Sequence, residues 1–436
     1  MHTFFTWAWC GTVERPAWRG ARAAKRARST TSARIGCLLQ EGPVAIDGLA
    51  DRLARARTAM RSAGVDGWLL YDFQGKNPIF WQLLGITRHA TRRAYVLVAA
   101  NGEATILCHR IDVTALAPFG LPLRIYTTWR ELSDALPALL SSCRRVAMDY
   151  SPGCVLPVVS RADAGTVEWV RSMGIEVVSS ADLVQAAVAR WSTADLADHR
   201  QAARELMASL DAALAHVAAH MGRGLTEDQV AAFLRAEFGR RGLVTDDAPI
   251  VAVNAHAGDP HYEPGAARPT PIRPGDWLLI DLWARVDRPG TVYADSTWVA
   301  TVGREPRPVE GQVFDVVRRA RDAAVDAVRA AVGFARPIAG WEVDRAARAV
   351  IENAGYGAAY THRTGHSIGQ QVHGPGVNLD DFETRDVRIL TPGVAVTIEP
   401  GIYLPEFGVR SEINLVVGEG TVEVTLPEQA AITRVG

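Results

Sequence analysis

Pro274-Gly275-Asp276-Trp277-Leu278-Leu279-Ile280-Asp281 and Pro392-Gly393-Val394-Ala395-Val396-Thr397-Ile398-Glu399 are two copies of one pattern. In each, a Pro-Gly turn precedes an apolar strand that ends in a carboxylate, and the offset from proline to acid is seven residues in both. Each strand is answered by a second one carrying another acid: Asp295 in Tyr293-Ala294-Asp295-Ser296-Thr297, and Glu412 in Val409-Arg410-Ser411-Glu412-Ile413. Upstream of the first copy, a helix through Leu206 to Val217 leads to Gly224-Leu225-Thr226-Glu227 and a second helix. Upstream of the second, a helix through Val316 to Ala331 leads to Ala339-Gly340-Trp341-Glu342 and another. The order helix, helix, acidic hairpin therefore occurs twice. Duplicated halves of this kind are expected to face each other across a pseudo-twofold axis, bringing two acidic hairpins to one central pocket.

An ionised carboxylate on a buried apolar strand is costly unless it is paired or binds a cation. Arg285 and Arg410 are the nearest cations in sequence, too few to balance four acids as salt bridges. Between the acid pairs lies His362-Arg363-Thr364-Gly365-His366-Ser367-Ile368-Gly369-Gln370-Gln371-Val372-His373, with histidines at offsets of four and seven. One histidine alone would read as a satisfied core residue; three here favour a site. Four carboxylates with one imidazole make a hard, oxygen-rich set suited to Mn²⁺, with Co²⁺ or Zn²⁺ as substitutes. The charge exceeds what one divalent ion needs, so two ions are expected, about 3.5–4 Å apart in sites of this type.

At 436 residues the chain is long enough for two domains. Residues 1–44 carry Arg15, Arg19, Arg22, Lys25, Arg26, Arg28 and Arg34 among small residues without periodicity, and read as a disordered leader. From Ile46 the pattern is regular. Leu49, Leu53, Ala56 and Met60 stand at helical spacing before Gly64 and the apolar run Gly67–Tyr71, and further short strands are expected at Tyr95–Ala99, Ala104–Leu107 and Val146–Met148. This α/β domain spans residues 45–190, and Trp191-Ser192-Thr193-Ala194-Asp195 is a linker and helix N-cap that opens a domain over 191–436.

Composition narrows the function classes. The formal net charge is -1, which offers no field to attract nucleic acid. No run of eighteen apolar residues is present, so no membrane span is expected. The five cysteines include no Cys-x-x-Cys pair, which fits a reducing cytoplasm.

The motifs together are specific. Gly258-Asp259-Pro260-His261-Tyr262-Glu263-Pro264, the Asp281 and Asp295 hairpin, His362 to His373, Ile398-Glu399-Pro400-Gly401-Ile402-Tyr403, and Val409-Arg410-Ser411-Glu412 resemble the successive motifs of the M24 metallopeptidase family of aminopeptidase P, prolidase and creatinase. That resemblance implies a creatinase-type N-terminal α/β domain followed by a pita-bread catalytic domain. It implies Asp281 as terminal ligand of one ion, Asp295 and Glu412 as bridging ligands, and His366 and Glu399 as terminal ligands of the other. Glu399 also matches the family's proton-transfer carboxylate. His261, His362 and His373 match histidines that hold the substrate carbonyl and the tetrahedral intermediate. Arg410 matches an arginine beside the bridging acid, either an ion-pair partner of a ligand or a substrate contact.

Three features depart from the family pattern. Asp287-Arg288-Pro289-Gly290 makes a longer turn between Asp281 and Asp295. Thr297-Trp298-Val299 stands where the family has Thr-Arg-Thr, and Ile413 follows Glu412 in place of an acid. The ligand set survives, and the expected activity is cleavage of Xaa-Pro bonds at a free N-terminus, as aminopeptidase or dipeptidase, by a homodimer. The alternative keeps the fold with a small non-peptide substrate, as in creatinase, ectoine hydrolase or dimethylsulfoniopropionate lyase relatives.

Overall fold

The computed structural model describes residues 48–264 and 269–436; the expected leader over 1–44 lies outside the described residues. The first part of the chain runs α1 (Leu49–Ala63), β1 (Gly67–Asp72), α2 (Pro78–Leu84), β2 (Ala94–Ala99), β3 (Ala104–His109), α3 (Val113–Leu116), β4 (Leu123–Tyr126), α4 (Trp129–Leu140), β5 (Arg145–Met148), α5 (Ala164–Ser172), β6 (Glu176–Ser179) and α6 (Ala181–Ala187). Its six strands form one sheet in the order β4-β3-β2-β1-β5-β6. Only β2 runs antiparallel to its neighbours. The helical spacing in α1 buries Leu49, Leu53, Ala56 and Met60 on this sheet, and Gly64 ends the helix in the left-handed conformation.

The second part runs α7 (Thr193–His220), α8 (Glu227–Arg240), β7 (Leu243–Val244), β8 (Ile250–Val253), β9 (Trp277–Val286), β10 (Tyr293–Val302), α9 (Pro308–Gly333), α10 (Gly340–Asn353), β11 (Ala395–Ile398), β12 (Gly401–Tyr403), β13 (Gly408–Arg410), β14 (Ile413–Val417), β15 (Val422–Val424) and β16 (Thr433–Val435). Ser192 caps α7 reciprocally: its hydroxyl accepts from Asp195 N at 3.1 Å while the Asp195 carboxylate accepts from Ser192 N at 2.8 Å. The expected duplication is present as two helix pairs, α7 with α8 and α9 with α10, each followed by antiparallel strands, β9 with β10 and β11 with β14. In both copies the turn glycine is left-handed, with φ of 102° at Gly275 and 89° at Gly393, so an L side chain would strain the turn at either position.

Strand alternation explains where the acids go. Leu278, Ile280 and Leu282 of β9 and Ala294 and Ala300 of β10 pack with Leu206, Leu210 and Leu234 of α7 and α8. The intervening residues, Asp281, Asp295 and Thr297, occupy the opposite face. In the second copy, Val396, Ile398, Ile413 and Leu415 pack with Val317, Ala324 and Val343 of α9 and α10. Thr397, Glu399, Glu412 and Asn414 fall on the other parity. Each half thus directs its polar set toward its counterpart, and the Asn414 side chain joins them by accepting from Asp295 N and donating to Asp295 O, both at 3.0 Å.

One expectation is corrected. Asp281 does not end its strand: β9 continues to Val286, because it pairs with β10 on one side and with β8 and β7 on the other. Glu399 does follow its strand directly. Among the described residues no helix is long and apolar enough to cross a membrane.

Candidate metal centre and active site

Asp295, His366 and Glu412, all buried, each present a ligand atom within 4.8 Å of the others. Glu399 joins them through its Oε1, 3.3 Å from His366 Nε2. Asp281 is tied in by Thr297, which stands opposite it in the β9–β10 register. The Thr297 hydroxyl lies 3.0 Å from Asp281 Oδ1 and 2.7 Å from Glu412 Oε2, and it accepts from Arg410 Nε at 2.9 Å. The structure therefore brings all five expected ligands together. His366 is oriented by its own loop: Nδ1 lies 3.1 Å from the Ser367 carbonyl, so Nδ1 carries the proton and the Nε2 lone pair faces the acids.

Burial and mutual repulsion govern the electrostatics. Burial pushes the Asp295 carboxyl well up, and Asp281 and Glu399 push it further. The Glu412 carboxyl is raised by burial, then by Asp295 and Glu399. Asp281 is also raised by burial, against the opposing pull of Arg410, with which it forms a buried ion pair. Burial keeps the His366 imidazole neutral, its pKa lowered to about 3. Asp295 Oδ1 is buried with no hydrogen-bond partner. A carboxylate with an orphaned oxygen, among other buried acids and beside a neutral imidazole 3.7 Å from its Oδ2, belongs to a donor set that fits divalent cations.

The remaining predicted residues differ in how they relate to this centre. The His373 ring centroid is 4.3 Å from that of His366, and this neighbour, followed by burial, lowers the His373 pKa. His261 is exposed and within electrostatic reach of His373. His362 has both nitrogens engaged, Nδ1 with the Arg363 carbonyl and Nε2 with the Tyr403 hydroxyl, each at 2.7 Å. Its Nε2 is then an acceptor, so contact with a substrate carbonyl requires the Tyr403 bond to open. Arg410 is buried on Asp281, Thr297 and Tyr403, the geometry of an ion-pair partner rather than of a substrate contact.

Four positioning side chains had no role assigned from sequence: Thr297, Thr397, Asn414 and Tyr403. Thr397 accepts from His366 N at 2.9 Å and donates to Glu399 Oε1 at 3.0 Å. The available signal was strand periodicity, since Thr297, Thr397 and Asn414 each stand two residues from an acid.

Comparison with known proteins agrees with this geometry. The family model described as metallopeptidase family M24 matches residues 199–419, half of the chain. The chain belongs to metallopeptidase family M24. Over 389 residues this M24 chain is 29% identical to "Probable dipeptidase PepE" of Mycobacterium tuberculosis, covering 86% of its own length and 94% of that protein. Dipeptidase PepE from Mycobacterium ulcerans superposes with a TM-score of 0.73 at 25% identity, over 90% of this chain and 100% of that one. Xaa-Pro dipeptidase from Bacillus anthracis superposes with a TM-score of 0.65 at 22% identity, over 88% and 99% of the two chains. These neighbours carry the pita-bread fold, and this M24 chain shares it. It is a metallopeptidase.

Proposed function

We propose that the chain is a dinuclear, metal-dependent peptidase that cleaves Xaa-Pro bonds at a free N-terminus, organised as an α/β domain over residues 45–190 and a catalytic domain over 191–436. The observation that carries this reading is the gathering of four carboxylates and one neutral imidazole in one buried cluster, in which Asp295 Oδ1 has no hydrogen-bond partner. Asp281, Asp295, His366, Glu399 and Glu412 would hold two divalent ions, Mn²⁺ by preference, with Asp295 and Glu412 shared between them. Such ions supply the Lewis acidity that activates water and polarises the scissile carbonyl. The names of the similar dipeptidases and of the Xaa-Pro dipeptidase support a small peptide substrate. A cytoplasmic homodimer belongs to the same proposal.

The protein's own residues would do the remaining work. An Xaa-Pro bond is a tertiary amide without an N–H, so its nitrogen must receive a proton as it leaves. Glu399, anchored by Thr397 through one oxygen, would carry that proton from water. His373, beside His366, would donate to the oxygen that develops negative charge. Thr297 and Arg410 hold Asp281 and Glu412 in register.

The test is a panel of Xaa-Pro dipeptides, longer Xaa-Pro peptides and proline-free controls, assayed with added Mn²⁺ and after chelation. Metal-dependent turnover that drops sharply when alanine replaces proline is expected. Equal cleavage of alanine and proline peptides would overturn the proline specificity, and full activity after chelation would overturn the metal dependence.

A further inference from the structure

We propose that Glu227 is a positioning residue for His261, acting as a buried clamp on the loop that carries it. The inference rests on the reading of His261 as a substrate-facing residue.

Glu227 opens α8, where an acid would ordinarily be a solvated first-turn charge. Here it is fully buried. Its carboxylate accepts from Val253 N at 2.7 Å, from His256 Nδ1 at 3.0 Å and from the Tyr262 hydroxyl at 2.6 Å. Those three donors are the last residue of β8 and two points along the following loop, so one side chain fixes the start, the middle and the far end of residues 253–262. His256 and Tyr262 stack on each other, with ring centroids 4.3 Å apart and planes 24° off parallel, which closes the loop on itself. Within it, the Asp259 carboxylate accepts from His261 N at 3.0 Å, setting the turn at residue 261.

Energetics favour a clamp over a loose contact. A buried carboxylate with three neutral or charge-assisted donors is satisfied without a metal or an arginine, and removing it leaves all three donors to find new partners. His261 is the next residue to the clamped Tyr262, and it lies within electrostatic reach of His373, which packs on the His366 ring. Any slack at Tyr262 therefore passes directly to the adjoining His261. The five expected metal ligands share no hydrogen bond with Glu227 among the described residues, so clamp loss displaces His261 and leaves metal content intact.

The test pairs hydrogen exchange with a double-mutant cycle. Glu227→Ala, and Tyr262→Phe as the variant that deletes a single hydroxyl, are each made in the wild-type and His261→Ala backgrounds. Amides of residues 253–262 are expected to exchange faster in both variants. In the wild-type background kcat/KM should fall about tenfold to a hundredfold for Glu227→Ala, the scale of a misplacement of about 1 Å, with bound metal unchanged and partial rescue by Glu227→Gln. In the His261→Ala background the same change should cost less than about threefold, because the residue it positions is gone. Unchanged loop exchange overturns the clamp. Equal losses in the two backgrounds overturn its action through His261. Full activity of His261→Ala alone instead overturns the reading of His261, and with it the catalytic purpose of the clamp.

Discussion

Acid should destabilise this protein through His199. The residue lies on α7, fully buried, with Nδ1 2.8 Å from the Tyr293 carbonyl and Nε2 2.6 Å from the Thr425 hydroxyl. A carbonyl can only accept, so Nδ1 carries the proton, and burial disfavours a second proton on Nε2 beside the Thr425 hydroxyl. Burial lowers its pKa from 6.5 to about 4. For a base whose folded pKa is depressed, the unfolded chain takes the proton first. The stability is fully present above the unfolded value and is lost as pH falls toward the folded one. A gap of about 2.5 units corresponds to about 3 kcal/mol in full, of which about 2 kcal/mol is lost between about pH 7.5 and about pH 5. The bond to Tyr293 anchors the start of β10, two residues before Asp295, so the loss loosens the strand that feeds the centre. The assay is denaturant unfolding of wild type and His199→Gln across that range. Other buried histidines titrate in both proteins, so the difference between the two curves isolates residue 199. Wild type should lose about 2 kcal/mol relative to the variant on acidification. Curves that stay parallel would refute the argument.

Three further outcomes are expected. Asp295→Asn and Glu412→Gln should each abolish turnover while circular dichroism stays native, with elemental analysis showing depleted metal; two ions retained alongside normal activity would contradict the assigned ligands. His373→Ala should lower kcat by about 10²–10³, the cost of losing one oxyanion donor, with bound metal unchanged. Gly408→Ala should cost about 1–3 kcal/mol of stability, because its Cβ would land on the Ala257 carbonyl and backbone atoms cannot yield as a flexible side chain can; an unchanged melting temperature would show that the loop gives way freely.

The duplicated Pro-Gly-strand-acid pattern was legible because its signals are local: a turn dipeptide, an apolar run and an acid at a fixed offset. The same locality misled in one detail. The apolar run alone ends the strand at Asp281, and only pairing with β8 and β10 shows that Ile250 and Thr297 flank Asp281 in mid-strand. Thr297 and Asn414 were hidden for a different reason. Threonine and asparagine occur on any strand face or turn, and their value here comes from partners more than a hundred residues away, Glu412 for one and Asp295 for the other. Glu227 was the least legible of all. In sequence it is one acid in a helix first turn, and its burial follows from the loop that folds over it.

Those distant partners also explain why the centre depends on both halves at once. If Asp281 and Asp295 formed one independent site and Glu399 and Glu412 another, each half could hold its acids with its own hydrogen bonds. The observed bonds cross instead: Asn414 of the second half grips the Asp295 backbone of the first, and Thr297 of the first half contacts Glu412 of the second. Arg410 of the second half pairs with Asp281 of the first. Arg410 offsets part of the repulsion that raises these carboxyls, and it can reach Asp281 only when both halves are docked. A change that loosens the contact between β10 and β14 therefore acts on every ligand together, so ligand geometry and the packing of the two halves are one property of the fold.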